Sequence, residues 1–139
     1  MTSNRVVALG AAVVLGVVGV WGLIVSIVTA DAPDVAARLP WEFGTSFPLA
    51  ALHLVLAAAL VFGFIRGDAR ARIMNTTSGC VLFALGMFGL FAVGSPFNVF
   101  GLTGASNLLH FAASATLLAA GIGAAPVAVS EDRHSESRA

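Results

Sequence analysis

The sequence contains little charge, no lysine, no tyrosine and a single cysteine. Charged residues make up 10% of the 139-residue chain, against roughly 25% in a typical soluble domain. Hydrophobic residues make up 58%, and the mean hydropathy is +0.96. A soluble fold of this size has too small an interior to bury so much apolar surface. The scarcity of charge therefore excludes an ordinary soluble domain and indicates a protein surrounded by lipid.

The other absences exclude several classes of function. All seven basic residues are arginines and the net charge is zero, without a basic patch interleaved with aromatics, so nucleic acid is not expected as a partner. The single cysteine, Cys80, excludes an internal disulfide and a multi-cysteine metal site, and we expect it to be a small buried side chain. No acidic residue lies inside an apolar run, and no nucleophile–base set is present. We therefore expect a protein that is not an enzyme.

Four long apolar runs fill most of the chain. They cover residues 6–28, 48–65, 73–93 and 102–125. At about 1.5 Å per residue, runs of this length are suited to crossing a hydrocarbon core of roughly 30 Å. We predict an all-α integral membrane four-helix bundle formed by residues 1–129, followed by a disordered cytoplasmic tail at residues 130–139.

The arginines predict the orientation of the four spans. Six of the seven fall on one side of the membrane in this topology: Arg5, Arg66, Arg70, Arg72, Arg133 and Arg138. Because positive residues accumulate in cytoplasmic segments, both termini are expected in the cytoplasm. A cleaved secretory signal is the competing interpretation, but the first run exceeds the roughly 7–15 apolar residues of such signals. The composition is typical of a GC-rich bacterial genome, so we expect a multi-pass protein of a bacterial inner membrane.

Small residues recur at helical spacing in three of the runs. The predicted packing positions are Gly16, Gly19, Gly86, Gly89, Ala112 and Ala115. Small faces allow helix backbones to approach closely in lipid. We expect these positions to pack the bundle internally, and a face of the fourth helix that binds a partner is the alternative.

Two of the runs contain a histidine, which is unfavourable in lipid and therefore requires an explanation. On the predicted fourth helix, His110 shares a face with Asn107 and Ser114, and Thr103 lies one turn before Asn107. His53 lies near the outer end of the second helix. Each histidine is roughly 8–12 Å below the outer end of its helix. The two are therefore predicted to lie at similar depth, where they can meet.

Three roles for the histidines remain open. Neutral His53 and His110 can hydrogen-bond to each other, to Asn107 or to backbone and fix the helix register, at about 0.6 kcal/mol per bond. They can line a polar pocket for a small ligand or a proton, since histidine titrates near neutral pH. They can also be the axial ligands of a b-type haem. Zinc would need at least one further ligand, which no span provides.

The histidine motifs also predict an internal repeat. When His53 is aligned with His110, Leu52 and Leu54 meet Leu109 and Phe111, and each histidine helix follows a glycine-rich helix. The chain is then two hairpins of the same orientation, related by an axis along the membrane normal.

The motif at residues 107–110, Asn-Leu-Leu-His, resembles that of a family of small bacterial four-span proteins, which is common in high-GC lineages and classed as a domain of unknown function. That family carries Asn-x-x-His on the fourth helix and a related histidine motif in the second span, which residues 52–54 resemble. The preceding Asn is Ala50 in this chain, and Ala57 and Ser114 replace the glycine one turn after each histidine. The resemblance implies a membrane protein without an assigned activity.

The sequence favours a non-enzymatic accessory or scaffolding subunit that packs beside a larger envelope transport or respiratory complex. Almost the whole chain is predicted membrane helix, without a catalytic set. The expected partners are the lipid bilayer and other membrane protein subunits, with no cofactor. The alternative is a small membrane protein that binds a ligand, or carries haem b, through His53 and His110.

Overall fold

The computed structural model describes residues 1–30 and 46–123, which form four α-helices without any strand. They are α1 (Ser3–Val28), α2 (Phe47–Arg66), α3 (Asp68–Ala92) and α4 (Gly104–Gly123). All four are long and apolar enough to cross a membrane. The predicted all-α, four-span architecture is therefore confirmed. The predicted tail and three of the arginines, Arg38, Arg133 and Arg138, lie outside the described residues.

Two helices begin at side-chain caps, which satisfy backbone N–H groups that have no partner within the helix. Ser46 precedes α2, and its Oγ accepts a hydrogen bond from the Leu49 amide at 3.4 Å. Thr103 precedes α4, and its Oγ1 accepts from the Ser106 amide at 3.1 Å, while Ser106 Oγ accepts from the Thr103 amide at 2.9 Å. The second arrangement is a reciprocal capping box. The hydroxyl residues before α2 and α4 therefore fix where both helices start.

Helix α3 begins at Asp68, five positions before the predicted start at residue 73. Only Gly67 separates α2 from α3, and its φ of 100° lies in the left-handed region that glycine tolerates best. Arg70 and Arg72 therefore lie within the first turns of α3 rather than in a loop. The tight connection makes α2 and α3 antiparallel neighbours, as the short link predicts.

The helices pair as two hairpins, α1 with α2 and α3 with α4, and these two pairs make the most extensive backbone contacts in the bundle. Between the hairpins, α2 contacts α3 more extensively than α1 contacts α4. A leucine layer fills the centre of the interior: Leu15, Leu56, Leu60, Leu82 and Leu117. Many large apolar side chains point outward, as expected of helices whose surroundings are lipid.

The two hairpins repeat each other's contacts. The Nε–H of Arg5 donates a hydrogen bond to the carbonyl of Phe64 at 3.0 Å, and the Nε–H of Arg72 donates one to the carbonyl of Gly121 at 2.7 Å. Arg72 is 67 positions after Arg5, and Gly121 is 57 positions after Phe64. The same 57-position shift relates Ser46, the cap of α2, to Thr103, the cap of α4. Each hairpin is therefore closed by an equivalent arginine at one end and begins its second helix with an equivalent cap.

The 67-position shift also relates the buried faces of α1 and α3. All seven buried residues of α1 have a buried counterpart on α3. The pairs are Asn4 and Ala71, Ala8 and Asn75, Ala12 and Gly79, Leu15 and Leu82, Gly19 and Gly86, Gly22 and Gly89, and Val25 and Ala92. The repeat indicated by the two histidine motifs therefore extends through both hairpins.

We call the end of the bundle with Arg5 and Arg72 the arginine end, and the opposite end the loop end.

Candidate functional site

Two imidazoles meet inside the bundle. His53 on α2 and His110 on α4 are 4% and 3% exposed. Their Nε2 atoms are 3.2 Å apart, and their ring centroids are 5.4 Å apart at an interplanar angle of 46°. Helices α2 and α4 lie diagonally opposite and make scarcely any close backbone contact. The histidines therefore connect the two hairpins across the interior, through the same atom of two repeat-equivalent residues.

A hydrogen bond between two Nε2 atoms constrains the protons of the pair. One Nε2 donates and the other accepts, so in a neutral pair one histidine carries its proton on Nε2 and the other carries it on Nδ1. The pair then has one Nδ1–H donor and one bare Nδ1 acceptor. Nδ1 of His110 is buried and has no hydrogen-bond partner among the described residues. Because unsatisfied polar groups in a membrane are costly, a bound polar group or a water at this atom would be stabilising.

The predicted polar stripe of α4 is buried, but its members have different surroundings. Asn107 and Ser114 are 6% and 1% exposed, and Asn107 Oδ1 and Ser114 Oγ have no partner in the described part of the chain. Asn107 packs against Gly89 of α3. Thr103 is half-buried and caps α4. Of this stripe, only His110 is hydrogen-bonded to His53.

A cavity of about 420 Å³ lies between α1 and α4, beside the histidine pair. Both imidazoles line it, together with Ser106 and a largely apolar set of residues from α1, α2 and α4. The hydroxyl of Thr116, which also lines the cavity, donates to the Ala112 carbonyl at 2.9 Å. None of the lining residues is charged. The site therefore combines one small polar region with a long apolar surface.

The histidine geometry differs from that of an axial haem pair. Two imidazole nitrogens bound on opposite sides of one metal, each at about 2 Å, are about 4 Å apart with the porphyrin between them. Here the two Nε2 atoms are 3.2 Å apart and bonded to each other. Within residues 1–30 and 46–123, no group of three or more His, Cys, Asp or Glu side chains is placed to hold a metal. The pair is better described as a hydrogen-bonding centre.

A second buried polar pair lies toward the arginine end and is not among the predicted site residues. Asn75 of α3 is fully buried, and its Nδ2 donates to the backbone carbonyl of Asn4 at 3.0 Å and to Asn4 Oδ1 at 3.3 Å. This pair connects α1 to α3, the other diagonal of the bundle. Asn4 continues the four-residue spacing of Ala8 and Ala12, and that spacing is the signal that could have identified it.

The predicted packing positions fall into two groups. Gly19, Gly86 and Gly89 are buried, against Leu54, Phe111 and Asn107 respectively, and Gly16 lies near Ala57. Ala112 and Ala115 are exposed on the outward face of α4 instead of packing inside the bundle. Cys80 is also exposed, so the expectation that it is buried is wrong. Ala115 and Cys80 therefore face away from the other described helices, whereas Ala112 also lines a space beside α1.

A family model described as a domain of unknown function (DUF4383) matches residues 5–123. The matched region contains the histidine pair, the cavity and both arginine contacts. No curated protein and no solved structure matches the chain.

Proposed function

The chain belongs to the DUF4383 family, and we propose that it is a non-enzymatic, multi-pass membrane protein that binds a small ligand between its helices. The proposal is carried by one observation: the buried pair of His53 and His110 lines a cavity of about 420 Å³ that is otherwise largely apolar. Small-molecule sites usually have volumes of about 300–1,000 Å³ and combine an apolar lining with a few polar groups. In this proposal the imidazoles hydrogen-bond the polar group of the ligand.

The hydroxyl groups of the lining support binding rather than catalysis. Ser106 Oγ is engaged in the cap of α4, where it accepts from the Thr103 amide and donates to the Thr103 carbonyl at 3.0 Å. Thr116 Oγ1 is engaged with the Ala112 carbonyl. Activation of a hydroxyl nucleophile requires a base within hydrogen-bonding distance, and both hydroxyls have backbone partners instead. The two imidazoles are bonded to each other.

The test is to identify small molecules that remain bound to the protein. The native chain is purified in mild detergent, extracted with organic solvent and compared by mass spectrometry with His53→Leu and His110→Leu. Loss of a ligand hydrogen bond of about 1.4 kcal/mol lowers affinity roughly tenfold, so each variant should retain less ligand than wild type. Leu108→Ala, at an exposed position of α4 outside the cavity lining, is the control. Identical extracts from wild type and both histidine variants would contradict the proposal.

We also propose a second role, as an accessory or scaffolding subunit beside a larger envelope transport or respiratory complex. The observation that favours it is a row of exposed small residues on α4: Ala112, Ala115, Ala119 and Gly123. Such spacing suits close helix–helix packing in lipid. Ala115→Leu should then reduce a co-purifying membrane protein while the histidine pair and the thermal stability are unchanged. A native preparation that contains only the free chain would count against this role.

We further propose that the protein lies in a bacterial inner membrane with both termini in the cytoplasm. Arg5 contacts α2 at its last turn, where Arg66 also lies, and Arg70 and Arg72 follow in α3. These arginines share one end of the bundle, and positive charge marks the cytoplasmic side. In a Cys80→Ala background, a cysteine at Phe97 should react with a membrane-impermeant maleimide in intact cells, and a cysteine at Ala69 should not. The reverse labelling pattern would invert the orientation.

A further inference from the structure

The internal repeat creates two equivalent helix interfaces, α4 with α1 and α2 with α3. The cavity lies at the first of them. At the second, a connection of one residue holds the helices together, and Leu56 and Leu85 are buried in the core. The equivalent positions on the cavity side are Ala113 and Val18, which line the cavity. The interface between α4 and α1, which contains the cavity, therefore differs from its repeat equivalent between α2 and α3.

The two interfaces differ in side-chain size at several positions. Five lining residues are smaller than counterparts that lie outside the lining: Val7 against Met74, Gly10 against Thr77, Val18 against Leu85, Ala112 against Val55, and Ala113 against Leu56. Thr116 is the exception, because it is larger than its counterpart Ala59. Other lining positions, such as Leu15 and Leu117, have the same residue as their counterparts, Leu82 and Leu60. The space is therefore produced by the choice of residues at one interface, while four leucines of the leucine layer, Leu15, Leu60, Leu82 and Leu117, are the same in both halves.

The shape of the cavity is that of a single extended chain. Its lining runs from Val7 to Val18 on α1 and from Ser106 to Leu117 on α4, about 16 Å along each helix axis. This length is about half of a hydrocarbon core of roughly 30 Å. If each non-hydrogen atom takes roughly the 30 Å³ that a water molecule takes, a cavity of about 420 Å³ holds about 14 of them. That volume suits the head and most of one long alkyl or prenyl chain, whose end would extend into the bilayer, rather than two acyl chains.

The polar groups lie toward one end of this space, apart from Thr116, whose hydroxyl is bonded to the Ala112 carbonyl. Ser106 and His110 are on the first two turns of α4, near the loop end, and the lining continues from them to Leu117. Because none of the lining residues is charged, an anionic or cationic head group would be left unpaired in a low-dielectric site. A neutral hydrogen-bonded histidine pair offers one donor and one acceptor. The polar end therefore suits a hydroxyl or a carbonyl oxygen.

The cavity is also bordered by the outer surface of the bundle. Gly10 and Val14 of α1, and Ala112 and Thr116 of α4, line it and are exposed. Along these spans the surroundings are lipid, so an apolar molecule can move between the bilayer and the cavity without crossing water.

We infer that the ligand is a neutral single-chain lipid that reaches the histidine pair sideways from the bilayer, between α1 and α4. This inference rests on the proposed ligand-binding function and specifies the class of ligand. The shared chemistry is a hydroxyl or carbonyl head on one apolar chain. A long-chain alcohol and a prenyl quinone are two sources of this chemistry.

The experiment measures binding to the delipidated full chain in detergent by native mass spectrometry. The probes are oleyl alcohol, a prenyl quinone with a short prenyl tail, oleyl phosphate, and a butyl alcohol that has the head without the long chain. Wild type should bind oleyl alcohol or the quinone saturably at one per chain, and at least about tenfold more tightly than oleyl phosphate. The neutral probe that binds more tightly identifies the source.

The decisive variant is Ala113→Leu, which copies Leu56 from the closed interface and should weaken binding of the long-chain probe at least tenfold. Ala112→Val, which copies Val55, is the milder version if the first variant does not fold. Ala58→Leu is the matched control, because Ala58 is exposed on α2 and lies outside the lining. Equal binding by wild type and the cavity-filling variant overturns the inference, as does equal binding of oleyl phosphate.

The two proposals fail in different ways. If the butyl and oleyl alcohols bind equally, and only the histidine variants weaken them, the ligand-binding function stands and the lipid inference is wrong. If the long chain binds regardless of head group and of the histidine variants, but Ala113→Leu blocks it, the cavity is a lipid site and the role of the histidines is wrong. If no probe binds to wild type, both are wrong.

Discussion

Replacement of Gly89 by alanine should destabilise the bundle more than replacement of its repeat counterpart, Gly22. Gly89 of α3 faces the side-chain amide of Asn107 on α4, and a Cβ at position 89 would overlap that amide. Gly22 of α1 faces Ala50 of α2, where the added Cβ would lie 3.2 Å from the Ala50 Cβ. Both glycines are buried on equivalent helix faces. They therefore form a matched pair that differs mainly in the side chain of the partner.

The expected magnitudes follow from two opposing effects on the free energy of unfolding. Overpacking typically costs about 1–3 kcal/mol, and alanine is favoured over glycine inside a helix by roughly 0.5–1 kcal/mol. At Gly89 the overlap involves the whole amide, so the net loss should be about 1–2 kcal/mol. At Gly22 a shift of a few tenths of an ångström relieves the contact, so the two effects should nearly cancel.

Asn107→Ala provides the internal check, because it recreates at the α3–α4 contact the alanine that already faces Gly22. The double variant Gly89→Ala/Asn107→Ala should be more stable than the sum of the single changes by about 1 kcal/mol or more, as expected for residues in direct contact. The assay is reversible unfolding by SDS in mixed micelles, followed by circular dichroism. Equal losses for Gly22→Ala and Gly89→Ala, or an additive double variant, would refute the close packing inferred at Gly89.

Three further outcomes are expected. A double-mutant cycle between His53 and His110 should give a coupling of about 0.6 kcal/mol and no more than about 1.7, and zero coupling would mean that the Nε2–Nε2 bond is absent. Leu60→Ala, in the leucine layer, should cost roughly 2–5 kcal/mol, whereas Val61→Ala, at the adjacent half-exposed position, should cost less than about 0.5. Cys80 should not react with a water-soluble maleimide in membranes and should react once the chain is unfolded in SDS, because it is exposed within a membrane-spanning helix; labelling in intact membranes would place it in water.

The spans and the meeting of the histidines were predictable because both depend on distance along a helix. Length and hydropathy identify a membrane helix, and an equal depth below the helix ends places His53 and His110 together. The start of α3 was less predictable, since its first turn, with Asp68 and Arg70, is polar and lies outside the apolar run. Hydropathy reports the lipid-covered part of a helix, and the helix itself continues into the polar region.

The full extent of the repeat could not be predicted from the sequence, for a different reason. Helices α1 and α3 are related by a shift of 67 positions, as from Arg5 to Arg72, but α2 and α4 by a shift of 57, as from His53 to His110. One continuous alignment cannot match both pairs, so only the histidine motifs were visible in the sequence. The cavity was hidden as well, because it depends on the relative sizes of side chains on α1 and α4, which are distant in the chain.

The two hairpins are alike at several positions that hold the helices together, and they differ in side-chain size at several positions that line the cavity. The positions with the same role in both halves include Arg5 and Arg72, the caps of α2 and α4, and the buried glycine pairs Gly19 and Gly86, and Gly22 and Gly89. The size differences described above lie at one interface, beside a histidine pair that is itself symmetric. A ligand bound between α1 and α4 would contact that pair from one side only, and its polar head would then determine which histidine donates. The repeat supplies a symmetric hydrogen-bonding centre, and the smaller side chains of one interface make that centre accessible from one direction.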